Sequence, residues 1–137
     1  MTYTIGEVSE KLDIPVPTLR YYDKEGLMPF LERTASGARI FHESDIELLN
    51  VVQCLKSSGM SIKKIQTFIE WCAEGDSTLE ERYHLFTVQK AAVEKQMKEL
   101  EATLSLINHK CHYYKTAVEA GTEDIHKSNK IGQTAFE

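Results

Sequence analysis

Three things are scarce in this chain, and each scarcity removes a class of protein. No window of its 137 residues approaches the roughly 18 uninterrupted apolar positions of a membrane-spanning helix. The three cysteines, Cys54, Cys72 and Cys111, stand 18 and 39 residues apart, so no C-x-x-C or similar pair offers a zinc site or a redox couple. No histidine lies within four residues of Cys54 or Cys72, and Cys111 alone has histidine neighbours, His109 and His112. Positive charge is also short, with 16 Lys or Arg against 21 Asp or Glu and a net charge of −5. The opening Met1-Thr2-Tyr3-Thr4 has neither a basic nor an apolar leader pattern. The expectation is a cytoplasmic protein that needs no cofactor, with at most one globular unit and an extension.

What is present begins with a capped helix. Thr4 precedes Ile5, Val8 and Leu12, and Glu7 follows it by three residues, which is a capping box. The first helix is therefore predicted from Ile5 to Leu12. Pro15 and Pro17 suit the first turn of a second helix, where a missing amide hydrogen costs nothing, and Gly26 suits its left-handed end. At about 100° per residue, Arg20, Tyr21 and Lys24 share one side of that helix while Leu19 turns toward the first. The free side can neutralise phosphates or reach base edges. A solvated charged face would look the same, and the next segment is what distinguishes the two.

Phe30 to Phe41 reads as two short extended runs around Ala35-Ser36-Gly37. Arg33 and Arg39 flank the turn, where they can follow a sugar-phosphate backbone beside the helix. Helix, turn, helix and hairpin together make a winged helix-turn-helix. Against DNA binding stands the charge of residues 1 to 78, with 8 basic and 12 acidic side chains for a net −4. The arginines must then act locally, and the acidic remainder restrains non-specific binding.

Two further helices are predicted. Ile46, Leu48, Leu49, Val51, Val52 and Leu55 give the third a broad apolar face from about Glu43 to Ser58. Ser61 caps the fourth, where Ile62, Ile65, Phe68, Ile69 and Trp71 complete the core. About 75 residues make a marginal core. From Leu79 the apolar spacing alternates fours and threes through Tyr83, Phe86, Lys90, Val93, Met97, Leu100, Leu104, Ile107, Cys111, Tyr114 and Val118. That is a heptad seam on the order of 60 Å long. A second copy of the chain is the expected partner, and at its seam position Cys111 is expected to fill apolar space. Gly121 ends the long helix, and the tail that follows is polar apart from Ile125, Ile131 and Phe136.

Residues 4 to 75 resemble the DNA-binding domain of the MerR family of bacterial transcription regulators. The likeness is carried by Thr4-Ile5-Gly6-Glu7-Val8, Thr18-Leu19-Arg20-Tyr21-Tyr22-Asp23, Gly26-Leu27, Gly37, Arg39, Phe41, Asp45-Ile46 and Gly59-Met60-Ser61-Ile62. Ala38 departs from the pattern, because many members carry tyrosine there. The resemblance implies a winged helix-turn-helix at 1–75, a linker and antiparallel coiled-coil dimerisation helix at 76–120, and a polar tail at 121–137. It implies a homodimer on a promoter palindrome that acts on RNA polymerase through the shape of the DNA. The expected DNA contacts are Thr18, Arg20, Tyr21, Tyr22, Lys24, Arg33, Arg39 and Lys56, the last matching a phosphate-contacting position. The expected dimer contacts are Tyr83, Phe86, Val93, Met97, Leu100, Leu104, Ile107, Cys111 and Tyr114.

Cys54 projects about 130° from the centre of the apolar stripe of its helix, beside Glu47, Asn50 and Ser58. From spacing alone it is either a surface thiol or a filler between helices. The run Cys54-Leu55-Lys56-Ser57-Ser58-Gly59-Met60 is similar to the C-L-K-x-T-G-M signature of the aldehyde-responsive AdhR/NmlR-like branch, in which the cysteine at this position senses electrophiles. Other readings are a soft-metal or small-ligand sensor, a coiled-coil adaptor for another protein, and a thiol enzyme using Cys54. The tail is too short for a separate ligand-binding domain. The last reading lacks a recognisable base or resolving cysteine.

Overall fold

A computed structural model describes residues 1–126 of the chain. Its elements run β1 (Thr2–Tyr3), α1 (Ile5–Leu12), α2 (Val16–Lys24), β2 (Glu32–Arg33), β3 (Arg39–His42), α3 (Glu43–Ser57), α4 (Ile62–Glu74) and α5 (Leu79–Ala120). Local chemistry accounts for the helix starts. The Glu7 amide donates to Thr4 Oγ1 at 3.1 Å, and the Thr4 amide donates to Glu7 Oε1 at 2.9 Å, so two amides that a helix end leaves unpartnered are satisfied reciprocally. The Lys64 amide donates to Ser61 Oγ at the start of α4. Asp45, buried in the first turn of α3, accepts from the His42 amide at 2.8 Å.

The strands form a three-stranded antiparallel sheet in the order β1-β3-β2. Thr2 pairs with His42, Tyr3 with Phe41, and Arg33 with Arg39. β1 was absent from the sequence reading, since two residues are too few to show alternation. The turn between β2 and β3 closes through Gly37, whose φ of +90° strains any residue with a Cβ. Phe41 alone of β3 is fully buried, so the hairpin is pinned at its base while its tip stands in solvent.

One apolar core joins these parts, with Val8, Leu19, Leu27, Phe41, Leu49, Val52 and Ile65 all fully buried. Side chains of this kind stabilise the fold by about 1.5 to 3 kcal/mol each when buried. The inward row of α3 is Ile46, Leu49, Val52 and Leu55; Leu48 and Val51 are half-buried at its edge.

The compact unit runs from Met1 to Gln89, further than the expected boundary at residue 75. Asp76–Thr78, expected as a linker, is a 3-10 turn that leads directly into α5. The buried Thr78 hydroxyl bonds to the carbonyls of Trp71 at 2.6 Å and Gly75 at 2.8 Å, and Arg82 donates to Gly75 O and Thr78 Oγ1. Phe86 lays its ring edge-on against Phe68, with 5.4 Å between centroids, and Leu85 packs on the core. A residue expected on the dimer seam is thus partly engaged within its own chain.

From Lys90 onward the rest of α5 forms a second unit. The 3-10 turn Glu123–His126 follows Gly121, and His126 stacks on Tyr113 at 4.1 Å with its Nε2 2.9 Å from Thr116 Oγ1. This part of the expected polar tail therefore doubles back on its own helix. Ile131 and Phe136, named as anchors, lie outside the described residues.

Candidate nucleic-acid interface

Helix α2 is held by one face and leaves the other bare. Pro17 occupies its first turn, and the Pro15 carbonyl accepts from the amides of Thr18 and Leu19. Leu19 and Tyr22, three residues apart, point into the core at 0% and 3% exposure. Arg20, Tyr21 and Lys24 lie on the outer side, all exposed, with Thr18 half-buried at the edge. Gln66 of α4 donates to the Glu25 carbonyl at 2.7 Å, which ties the end of α2 to the body of the unit.

Tyr22, expected among the DNA contacts, is instead buried behind them at 3% exposure. Its ring is part of the core, and its hydroxyl donates to Gln53 Oε1 at 2.6 Å. Burial, with a smaller contribution from Tyr21, raises its phenol above the ordinary value of 10.0, so it stays a donor at neutral pH. Tyr22 entered the expected contacts through the family resemblance, not through the face shared by Arg20, Tyr21 and Lys24. The spacing from Leu19 to Tyr22 was the signal that should have separated the two tyrosines.

The wing meets the helix through a residue that sequence reasoning passed over. Asp23 Oδ2 accepts from Arg33 Nη2 at 2.7 Å and from Arg39 Nε at 2.8 Å. Arg33 Nη1 also donates to the Gly37 carbonyl at 3.2 Å, across the turn. Both predicted wing arginines therefore converge on the last turn of α2. Their separations of 10 and 16 residues from Asp23 have no periodic meaning, so only the folded chain reveals the cluster.

Lys56 is exposed in the last turn of α3, and Cys54 is an exposed free thiol on the same helix. The Cys54 carbonyl accepts from the Ser58 amide at 3.0 Å. Gln89 of α5 donates to the Ser58 carbonyl at 3.0 Å and lies 2.8 Å from its hydroxyl. Cys72 is half-buried against the core and Cys111 is exposed. Among the described residues, no three His, Cys, Asp or Glu side chains converge to hold a metal ion, and no helix is long and apolar enough to cross a membrane.

This architecture has close counterparts. Residues 3–70 match the model of the MerR HTH family of regulatory proteins. An HTH-type transcriptional regulator of Haemophilus influenzae, itself uncharacterised, is 43% identical over 98% of this chain and 100% of its own length. The chain belongs to the MerR family. As a MerR regulator it is a DNA-binding protein and not an enzyme. The solved structure of HiNmlR, a MerR family regulator lacking the sensor domain and bound to promoter DNA, is 42% identical, covers 91% of this chain and 99% of its own, and superposes with a TM-score of 0.85. That superposition bears out the winged helix-turn-helix followed by a long helix. The regulator AdhR of Bacillus subtilis is 31% identical over 86 residues, 63% of this chain and 61% of its own.

Tyr22→Phe isolates the role given to that residue. Losing one partly buried hydrogen bond is expected to cost about 1 kcal/mol in urea unfolding, with no change in DNA affinity wherever the variant is folded. A raised folded-state phenol pKa contributes stability below pH 10.0 that is lost as pH rises through the folded value. Stability of the parent should therefore decline more steeply in that range than stability of the variant.

Proposed function

We propose that this MerR regulator binds a promoter palindrome as a homodimer, with α2 in the major groove and the β2–β3 wing along the adjacent backbone. The observation that carries the reading is the bare face of α2, where Arg20, Tyr21 and Lys24 are exposed on a helix anchored from behind by Leu19 and Tyr22. Thr18 borders the same face. Arg33 and Arg39 supply wing contacts, and Lys56 a further phosphate contact. The binding of promoter DNA by HiNmlR supports the same use of this fold. RNA polymerase is engaged indirectly, through the geometry of the promoter.

Homodimerisation follows from what α5 leaves in water. Tyr83, Met97, Leu100, Leu104, Ile107 and Tyr114 are each more than half exposed in the single chain, and Cys111 is exposed among them; Val93 is half-buried. A contiguous apolar row of this length marks an interface. An antiparallel pairing would cross near Leu100 and Leu104 and carry the two α2 helices to separate half-sites.

The effector is a small thiol-reactive electrophile, such as an aldehyde, acting at Cys54. HiNmlR is described as lacking the sensor domain, so a sensing group common to both chains sits in the DNA-binding unit or the long helix. Cys54 sulfur adds to the aldehyde carbon while the carbonyl oxygen takes up the thiol proton, giving a hemithioacetal with no leaving group. The adduct lies two residues from Lys56 and one helical turn from Ser58, which Gln89 joins to the start of α5. Modification is thereby coupled to both the phosphate contact and the dimerisation helix. The AdhR similarity and the Cys54–Met60 signature support this branch of the family.

Three measurements test the reading. In gel-shift titrations against the protein's own upstream region, Arg20→Ala is expected to weaken operator binding by about 1 to 3 kcal/mol and relax sequence preference; unchanged binding by the folded variant would reject the placement of α2. In sedimentation, Leu104→Asp, which places a carboxylate in the seam twice per dimer, is expected to give monomers with lost operator binding. In a reporter assay with added aldehyde, Cys54→Ala is expected to bind DNA yet fail to activate, while Cys72→Ala and Cys111→Ala respond normally. Full induction of Cys54→Ala would exclude it as the sensor.

A further inference from the structure

We propose that Asp23 sets DNA specificity by acting as an internal stand-in for phosphate, occupying both wing arginines until an operator displaces it. The inference rests on the DNA-binding reading above and adds a residue to it. A single oxygen, Asp23 Oδ2, receives Arg33 Nη2 at 2.7 Å and Arg39 Nε at 2.8 Å. Two cations against one anion leave the cluster with one net positive charge where two arginines alone would present two.

The three side chains are unequally covered, at 17% exposure for Asp23, 21% for Arg39 and 48% for Arg33. Asp23 and Arg39 are thus shielded from salt better than a surface pair, while Arg33 has room to leave. A guanidinium recognises carboxylate and phosphate through the same fork of N–H donors, so a backbone phosphate can replace Asp23 oxygen for oxygen. That exchange is compensated only where the DNA phosphates sit in register with the wing, which requires α2 to be seated in its groove. On unrelated DNA the arginines remain with Asp23. The unit that must discriminate is acidic overall, −4 over residues 1 to 78, so its affinity for arbitrary DNA depends on few cations. Withholding two of them has a large relative effect.

The test is fluorescence anisotropy of the full-length chain on an operator duplex and on a scrambled duplex, across a range of KCl concentrations. Each phosphate neutralised adds about 0.9 to the slope of log affinity against log salt. Asp23→Asn, confirmed folded by circular dichroism, is expected to bind scrambled DNA about tenfold tighter at low salt, with a slope steeper by about 1 to 2 per subunit. Its preference for operator should fall about tenfold. Asp23→Glu, which keeps the charge, is expected to retain the parental slope. Arg33→Gln, which leaves the Asp23–Arg39 pair intact, should leave the scrambled-DNA slope unchanged while flattening the operator slope by about one per subunit.

A folded Asp23→Asn with parental affinity and slope on scrambled DNA would overturn the proposal, as would equal weakening on both duplexes, the mark of a purely structural brace. Should Asp23→Asn fail to fold, Arg33→Gln decides, and a flattened slope on scrambled DNA would show that Arg33 already reaches phosphate there. If Arg20→Ala leaves operator binding intact, the DNA-interface reading itself fails. If Arg20→Ala weakens binding while the Asp23 and Arg33 variants miss these outcomes, the role of Asp23 alone is refuted.

Discussion

The DNA-facing architecture depends on keeping a short helix and a short hairpin in fixed relation, and burial of one face of each against a shared core does so. Helix α2 has nine residues and two prolines at its entry. Strand β2 has two residues, both exposed. Neither element would hold its direction alone, since isolated helices of that length are marginal and a two-stranded ribbon is not independently stable. Phe41 pins the base of the hairpin and Leu19 with Tyr22 pins the helix. The bonds from Arg33 and Arg39 to one carboxylate oxygen join the two at their solvent edge in the free chain.

A second constraint comes from α5. Its first eleven residues are committed to the DNA-binding unit through the Thr78 and Arg82 bonds, the Phe86–Phe68 edge contact and the Gln89–Ser58 bonds. Farther along, most of its apolar row is exposed among the described residues. One continuous helix therefore serves as part of a domain core at its start and as the proposed dimer contact over the rest.

The position of Cys54 fits between these constraints. An exposed thiol contributes little to the core, and α3 already buries Ile46, Leu49, Val52 and Leu55 on its inner side. What the site offers is adjacency. Lys56 follows it by two residues, and Ser58, with its bonds from Gln89, by four. Under the proposed reading, a small adduct there forms beside Ser58 and the Gln89 side chain that bonds to it.

Helix limits were legible from sequence because their causes are local. The Thr4/Glu7 box, the proline entry to α2 and the Ser61 cap each act within one turn, and α1, α2, α3 and α4 fall within a residue or two of where those signals put them. The heptad row of α5 was legible because the period of an apolar stripe is a property of the chain itself. The exposed sides of Arg20 and Lys24 followed from the same geometry, whereas spacing left Cys54 open between surface and helix contact until the fold exposed it. Tertiary structure alone decided the rest. β1 exists only because β3 offers it an edge, Tyr22 became core with Gln53, 31 residues away, receiving its hydroxyl, and Asp23 met its arginines only once folding set the wing beside α2. The unit extends to Gln89 because Phe68 and Ser58, distant in sequence, receive the first turns of α5. Local capping and periodicity are written in neighbouring residues, whereas these pairings arise from chain closure, which brings together groups that sequence spacing keeps apart.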